Sequence, residues 1–238
     1  MRIKALLLLS VSAILVGCVG TPQSLVSLDN QILMHPDNRI GVAMDALPKP
    51  GLGLPGADCL LCLAVAAGAN SDLSSHAKQL STAEVEQLKP EVVAALKEQG
   101  KDSVLIKEQL NIIKLPKTKK LGDGFSKRDF SGLAEELQVD QLLVIDINSI
   151  GMTRSYASYV PTSPPQATVL GTVFLVDVGT NAYHWYMPIN LRLSAEGEWK
   201  EPPEFPGLTN AYYQVIEKLR DMVLEPLPKS PDLQEVAQ

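Results

Sequence analysis

Hydrophobic and polar positions recur with two different periods along the chain, and each change of period marks a boundary between elements. Residues 39–47, RIGVAMDAL, set Ile40 and Val42 among small or polar neighbours and then meet Pro48, Pro50 and several glycines, which predicts a strand followed by a turn. Residues 81–100 change to a helical period. Val85, Leu88, Val92, Val93 and Leu96 recur at helical spacing, Ser81 with Glu84 three residues later forms a capping signal, and Gly100 stops the run. Pro90 lies inside this helix and is expected to kink or divide it. Residues 103–115 are rich in aliphatic and β-branched side chains and end before Pro116, so extended structure is expected there.

In residues 127–151, Ser131 is expected to cap a short helix running through Glu136 and Leu137. QLLVIDINSI then predicts a buried strand, because it is continuously apolar up to Asp146. Residues 167–193 predict two strands around the turn GTNA, a hairpin. Residues 209–227 predict an amphipathic helix with Tyr212, Ile216, Leu219 and Val223 on one side. This order of strands and helices argues an α/β fold, an α+β sandwich in which a mixed sheet of about five strands carries helices packed on it. Residues 38–228 are expected to form it as one domain. Residues 18–37 mix polar residues with scattered aliphatics and are expected to be a tether, and 229–238 a flexible tail.

The first residues follow a different pattern. Arg2 and Lys4 precede an apolar run from Ala5 to Val16, which small Gly17 and then Cys18 end. That is a secretory signal, and the run falls short of the roughly 20 residues a membrane-spanning helix needs. LVGC at 15–18 resembles the lipobox of bacterial lipoproteins. The resemblance implies that residues 1–17 are a signal peptide removed before Cys18, and that Cys18 carries acyl chains, palmitate among them. Several chains, at roughly 0.8 kcal/mol per buried methylene, anchor firmly where one binds only marginally. Val19 after the cysteine implies the outer membrane, with the domain facing the periplasm; the inner membrane remains an alternative.

Two further stretches carry a second resemblance. GLAEELQVDQLLVIDI and FLVDVGTNAYHWYM resemble units of periplasmic lipoproteins related to the curli-secretion lipoprotein and to the small domain of the Tol-system propeller protein. The resemblance implies helices over a mixed sheet. This sequence departs from the pattern at Asn181, where glycine is usual, and in the insert SYASYVPTSPPQA.

Charge narrows the partners. The chain carries 21 Lys and Arg against 27 Asp and Glu, and loss of Arg2 and Lys4 with a leader makes it more negative still. Nucleic acid is not expected as a partner, since phosphate contacts need clustered cations. The one basic cluster, KLPKTKK at 114–120, is expected to be a solvated loop.

GLGLPGADCLLC at 51–62 contains two motifs. Gly51, Gly53 and Gly56 spell G-x-G-x-x-G, but a dinucleotide cradle also needs an acid at the end of a second strand about 20 residues on. The region near residue 76 reads DLSSHAKQLST, so no nucleotide is expected, and the glycines are assigned to turns. Cys59 and Cys62 spell C-x-x-C. His35, His76 and His184 are too scattered to complete a zinc site, so no metal or other cofactor is expected. The pair is expected to be structural, either as a disulfide in an oxidising compartment or as two buried thiols. The following CLAVAAGA is expected to be a helix packed in the core; a helix lying in a membrane interface is the alternative, which no basic flank supports.

No nucleophile elbow and no metalloprotease helix is present, and no catalytic residue is assigned. On a regular strand, Tyr183 and Trp185 of AYHWYM would share one face and His184 and Tyr186 the other. The loop RSYASYVPTSPPQA combines Tyr156 and Tyr159 with Pro161, Pro164 and Pro165, a stiffened aromatic surface expected to contact a partner. The expectation for the whole chain is a lipid-anchored, non-enzymatic envelope protein. Its partners would be the membrane through its anchor and an envelope protein or a second copy of itself. The alternative is a lipoprotein that binds or modifies glycan or peptidoglycan.

Overall fold

The computed structural model describes residues 22–119 and 122–228. The signal, Cys18 and the expected tail at 229–238 lie outside the described residues. In chain order the elements are α1 (Asn30–Leu33), β1 (Ile40–Met44), β2 (Gly51–Gly53), α2 (Leu60–Ala69), α3 (Ser71–Ala77), α4 (Ala83–Glu86), α5 (Leu88–Glu98) and β3 (Ser103–Leu105). They continue with a 3-10 turn (Ile112–Lys114), α6 (Leu133–Leu137), β4 (Gln141–Thr153), β5 (Tyr156–Ala157), β6 (Val160–Pro161), β7 (Gln166–Asp177), β8 (Tyr183–Ser194) and α7 (Pro206–Leu224).

The apolar run QLLVIDI forms the centre of the sheet as β4. On one side β1 and then β3 run parallel to it, and on the other β7 runs antiparallel to it and β8 antiparallel to β7, in the order β3-β1-β4-β7-β8. β1 covers only Gln141–Ile145 of this long strand, and β2 pairs in parallel with its last residues, Gly151–Thr153. This is the mixed sheet with packed helices that the pattern predicts. Alternation along β4 separates the two faces. Leu143, Ile145 and Ile147 join Val173, Leu175 and Trp185 under α5 and α7, where most of the core lies. Leu142 and Val144, with Phe174 and Val176, point the other way and are covered by Ile106, Leu110, Phe130 and Val139. α7 seals the main core through Leu208, Ala211, Tyr212, Val215, Ile216, Leu219 and Val223. The phenol of Tyr212 donates to the Ser81 carbonyl at 2.9 Å, so its one polar atom is satisfied.

Several local expectations change in the fold. The helix expected over 81–100 is divided, as Pro90 allows: α4 ends at Glu86, α5 begins at Leu88, and Pro90 sits in the first turn of α5, where its missing N–H costs nothing. Residues 103–115 are extended only as far as Leu105. The Asn111 side chain then accepts the Lys114 N–H and closes a 3-10 turn. Ser131 does not cap α6, which starts after Gly132 without a side-chain cap. The loop before it is held instead by Asn181, which adopts φ 61° as a glycine would. Its amide donates to Asp129 at 2.9 Å and accepts the Phe130 N–H at 2.7 Å, contacts a glycine could not make.

The expected tether is part of the fold from Gln23 onward. Val26 bridges antiparallel to Tyr186, and the Asp123 carboxylate accepts from the Ser24 N–H at 2.9 Å and the Gln23 amide at 2.8 Å. Asp29 caps α1 through the Gln31 and Ile32 N–H groups, and Leu33 is fully buried. Leu28, Leu33 and Met34 dock this segment on the main core, whereas Leu25 stays exposed.

Candidate functional site

Gly51 and Gly53 are strand residues, not turn residues, because β2 adds to the end of β4 at Gly151. A side chain at Gly151 would lie 2.2 Å from the Gly51 carbonyl oxygen, so only glycine admits this close approach. Gly56 alone makes the turn, at φ 86°, with Tyr156 backbone packed against it. The motif's backbone is therefore spent on sheet pairing and a turn.

The turn leads into Cys59, which precedes α2 and is joined to Cys62 in a disulfide with Cα atoms 4.9 Å apart, inside the range this bond requires. The Cys59 sulfur also accepts the Cys62 N–H at 2.9 Å and closes the first turn of the helix. Of the sequence alternatives, the disulfide is the one present.

α2 is not a core helix. It buries only Cys62 and Ala66, against Ala57 and Tyr156. Its other residues are exposed, Leu60 at 91%, Leu61 at 63% and Leu63 and Val65 at 47% each. Its apolar residues run all round the helix, so no stripe aims it at a neighbour.

The tyrosines expected to act together are separated. Tyr156 is buried, and its hydroxyl accepts from the Asn70 amide at 2.6 Å. Asn70 also donates to the Ala66 carbonyl and accepts from Arg154 at 2.9 Å, and the Arg154 guanidinium lies 4.8 Å from the centre of the Trp199 ring. Tyr156 thus ties the loop to α2 and offers no contact surface. Tyr159 and Val160, at the tip of the β5–β6 ribbon, remain exposed. Pro161 and Pro164 are exposed as well, whereas Pro165 is buried. The Ser158 N–H donates to the Gly56 carbonyl at 3.0 Å and so holds this tip beside the start of α2.

A second site lies on the other face of the sheet. Between Val176 and Leu175 the hairpin register shifts, with Tyr183 opposite Val176 and Trp185 opposite Leu175. The extra residue, His184, makes a bulge, and its carbonyl accepts the Asp29 N–H. The bulge puts Tyr183 and Tyr186 on the same face, with ring centres 5.0 Å apart, and sends Trp185 into the main core; the regular alternation expected for AYHWYM does not hold. The two tyrosines, Phe174, Pro188 and Pro22 line a cleft of about 510 Å³ that reaches Asp146 and Asn148. A neighbouring hollow of about 370 Å³ shares those two residues and adds Asp45.

Burial pushes the Asp146 carboxyl above the ordinary carboxylate range, Asp45 raises it further, and a 2.8 Å hydrogen bond from Asn148 partly opposes both. Burial likewise raises the Tyr183 phenol. Sequence reasoning missed this cleft. Its visible signals were the aromatic run AYHWYM, which reads as half-buried sheet residues, and Asp146, a carboxylate interrupting an otherwise apolar central strand. His76 lies elsewhere, bonded to Thr209 at 2.7 Å and packed on Phe205, and burial lowers its pKa. Among the described residues no group of three His, Cys, Asp or Glu side chains is placed to hold a metal ion.

No family model matches this chain, and no curated protein matches it. Among solved structures it is similar to a Xanthomonas campestris protein of family DUF330, with 12% identity, a TM-score of 0.37 and coverage of 85% of this chain and 90% of that one. It is similar to a putative neuraminyllactose-binding hemagglutinin homolog from Helicobacter pylori, with 9% identity, a TM-score of 0.35 and coverage of 91% and 95%. Lipoprotein GNA1162 from Neisseria meningitidis matches with 15% identity, a TM-score of 0.27 and coverage of 76% and 99%. Likenesses this distant say nothing of function.

Proposed function

We propose that this chain is an exported, lipid-anchored envelope protein whose domain binds another envelope component and carries out no chemistry of its own. The observation that carries the reading is Cys18 directly after Leu15, Val16 and Gly17, at the end of an apolar run too short to span a bilayer. The Cys59–Cys62 disulfide supports it, because such bonds persist where thiols are oxidised after export. Among the described residues no helix is long and apolar enough to cross a membrane, so attachment rests on the acyl chains. The binding surface is the cleft beside Tyr183 and Tyr186, where an apolar aromatic floor meets a few polar groups, the usual make-up of a recognition site. Pro22, four residues after Cys18, forms part of its wall, so the anchor fixes the cleft close to the membrane.

Cys18→Ala tests the anchor: palmitate labelling and membrane partitioning are both lost, and retention of both would reject it. Tyr186→Ala tests the surface. In-cell crosslinking from the cleft to its neighbours weakens while folding is kept, and unchanged crosslinking would remove the cleft from consideration.

A second reading is favoured by the same geometry. A tyrosine pair beside a carboxylate and an amide also suits a sugar, through ring stacking and hydrogen bonds to hydroxyls. Co-sedimentation of the protein with purified peptidoglycan, lost in Tyr186→Ala, would favour this reading over a protein partner.

A further inference from the structure

We infer that α2 and the β5–β6 tip form a second, non-covalent membrane contact that lies in the headgroup region of the bilayer; the inference rests on the lipid-anchored reading above. The helix is ten residues long, about 15 Å, and carries no charged residue from Leu60 to Ala69. A protein groove covers one side of a helix. Here eight of the ten residues are exposed, and only the Cys62 and Ala66 stripe touches the domain, so the surroundings that satisfy this helix must reach most of its circumference, as a lipid phase does.

The bilayer is also within reach. Only three residues, 19–21, separate acylated Cys18 from Pro22, a span of roughly 14 Å when extended, which keeps the domain beside the membrane surface. Beside the helix, Tyr159 and Val160 add an aromatic and an aliphatic side chain, a pairing suited to the boundary between headgroups and acyl chains. Exposed Asp58 and Asp72 flank the helix at its two ends. They keep both ends at headgroup level, so the helix lies flat and shallow, and anionic lipid does not strengthen the contact. The disulfide and the Asn70–Tyr156 bond hold the helix in place whether or not lipid covers it.

The test uses the full-length protein reconstituted in phosphatidylethanolamine vesicles, with or without phosphatidylglycerol, whose acyl chains carry bromine as a quencher of tryptophan. Leu60→Trp and Tyr159→Trp are compared with Glu217→Trp on the exposed side of α7, each after subtraction of the signal from Trp185 and Trp199, and each checked for an unchanged thermal transition. The first two lose emission in brominated vesicles and the third does not, and adding phosphatidylglycerol does not deepen the loss. Leu60→Trp emission that brominated lipid leaves intact overturns the inference. If that emission instead shifts to the blue as protein concentration rises, a second copy covers the helix, and the inference is equally overturned. Palmitate labelling of the same preparation keeps the two ideas apart. Labelled but unquenched protein retains the anchor and rejects the helix contact, whereas unlabelled but quenched protein rejects the anchor and retains the helix contact.

Discussion

α7 and α2 are both rich in apolar residues, yet one is the main seal of the core and the other stands in the open. In α7 the apolar positions recur so that seven residues are buried on one side and charged residues such as Glu217 and Lys218 face out. In α2 apolar residues occupy every side and two are buried. The difference teaches that burial follows a one-sided pattern more closely than it follows apolar content. A one-sided helix has one orientation that satisfies both halves, whereas an all-round apolar helix gains little from any single protein neighbour.

The largest effect that would break this comparison is in α7. Leu219→Ala removes a fully buried side chain from the main core and is expected to cost about 2–5 kcal/mol in chemical denaturation. A loss below 1 kcal/mol, on that same scale, would show that α7 is not the seal described here. Next is Tyr156→Ala, which empties the small cluster under α2 and leaves the Asn70 amide without that partner. The expected cost is about 2–3 kcal/mol. The ring belongs to the fold, so this loss appears in the melting temperature even without any partner.

The double variant Cys59→Ser with Cys62→Ser opens the loop at the start of α2 and is expected to cost about 2 kcal/mol. Palmitate labelling, proposed for Cys18, is expected to be the same in this variant as in the parent. Loss of the α2 fold without loss of global stability would sharpen the contrast, by showing that α2 is a separate cooperative unit.

Asp146→Asn has a smaller effect, of opposite sign. Burial holds the folded carboxyl above the ordinary carboxylate value of 3.8. The folded state therefore binds more protons than the unfolded state between 3.8 and the raised value, and stability falls as pH rises through that window. The amide variant removes the penalty. It is more stable than the parent at neutral pH, and the advantage disappears as pH approaches 3.8. Parallel melts across this range check it; an advantage that persisted at low pH would assign the effect to packing.

Smallest of all is Leu61→Ala in α2, expected to change stability by no more than about 0.5 kcal/mol because the side chain is mostly in solvent. The same truncation at Leu219 and at Leu61 thus gives the comparison in one pair of measurements.

Sequence by itself determined the elements whose local pattern has one solution. The apolar run of β4 suits a strand buried on both faces, GTNA between two β-rich segments makes the β7–β8 hairpin, and the period of residues 209–227 orients α7, because in each case neighbours a few residues apart carry the signal. Tertiary structure alone decided the rest. A single bulge at His184 moved Tyr186 to the face of Tyr183, and a bond to Asn70, 86 residues away, buried Tyr156 while Tyr159 stayed exposed. Docking on β8 turned the expected tether into part of a cleft wall. α2 was exposed for the same reason that its sequence misled: a helix apolar on every side carries no record of which side meets the protein, and that depends on which surfaces the remaining chain brings near it.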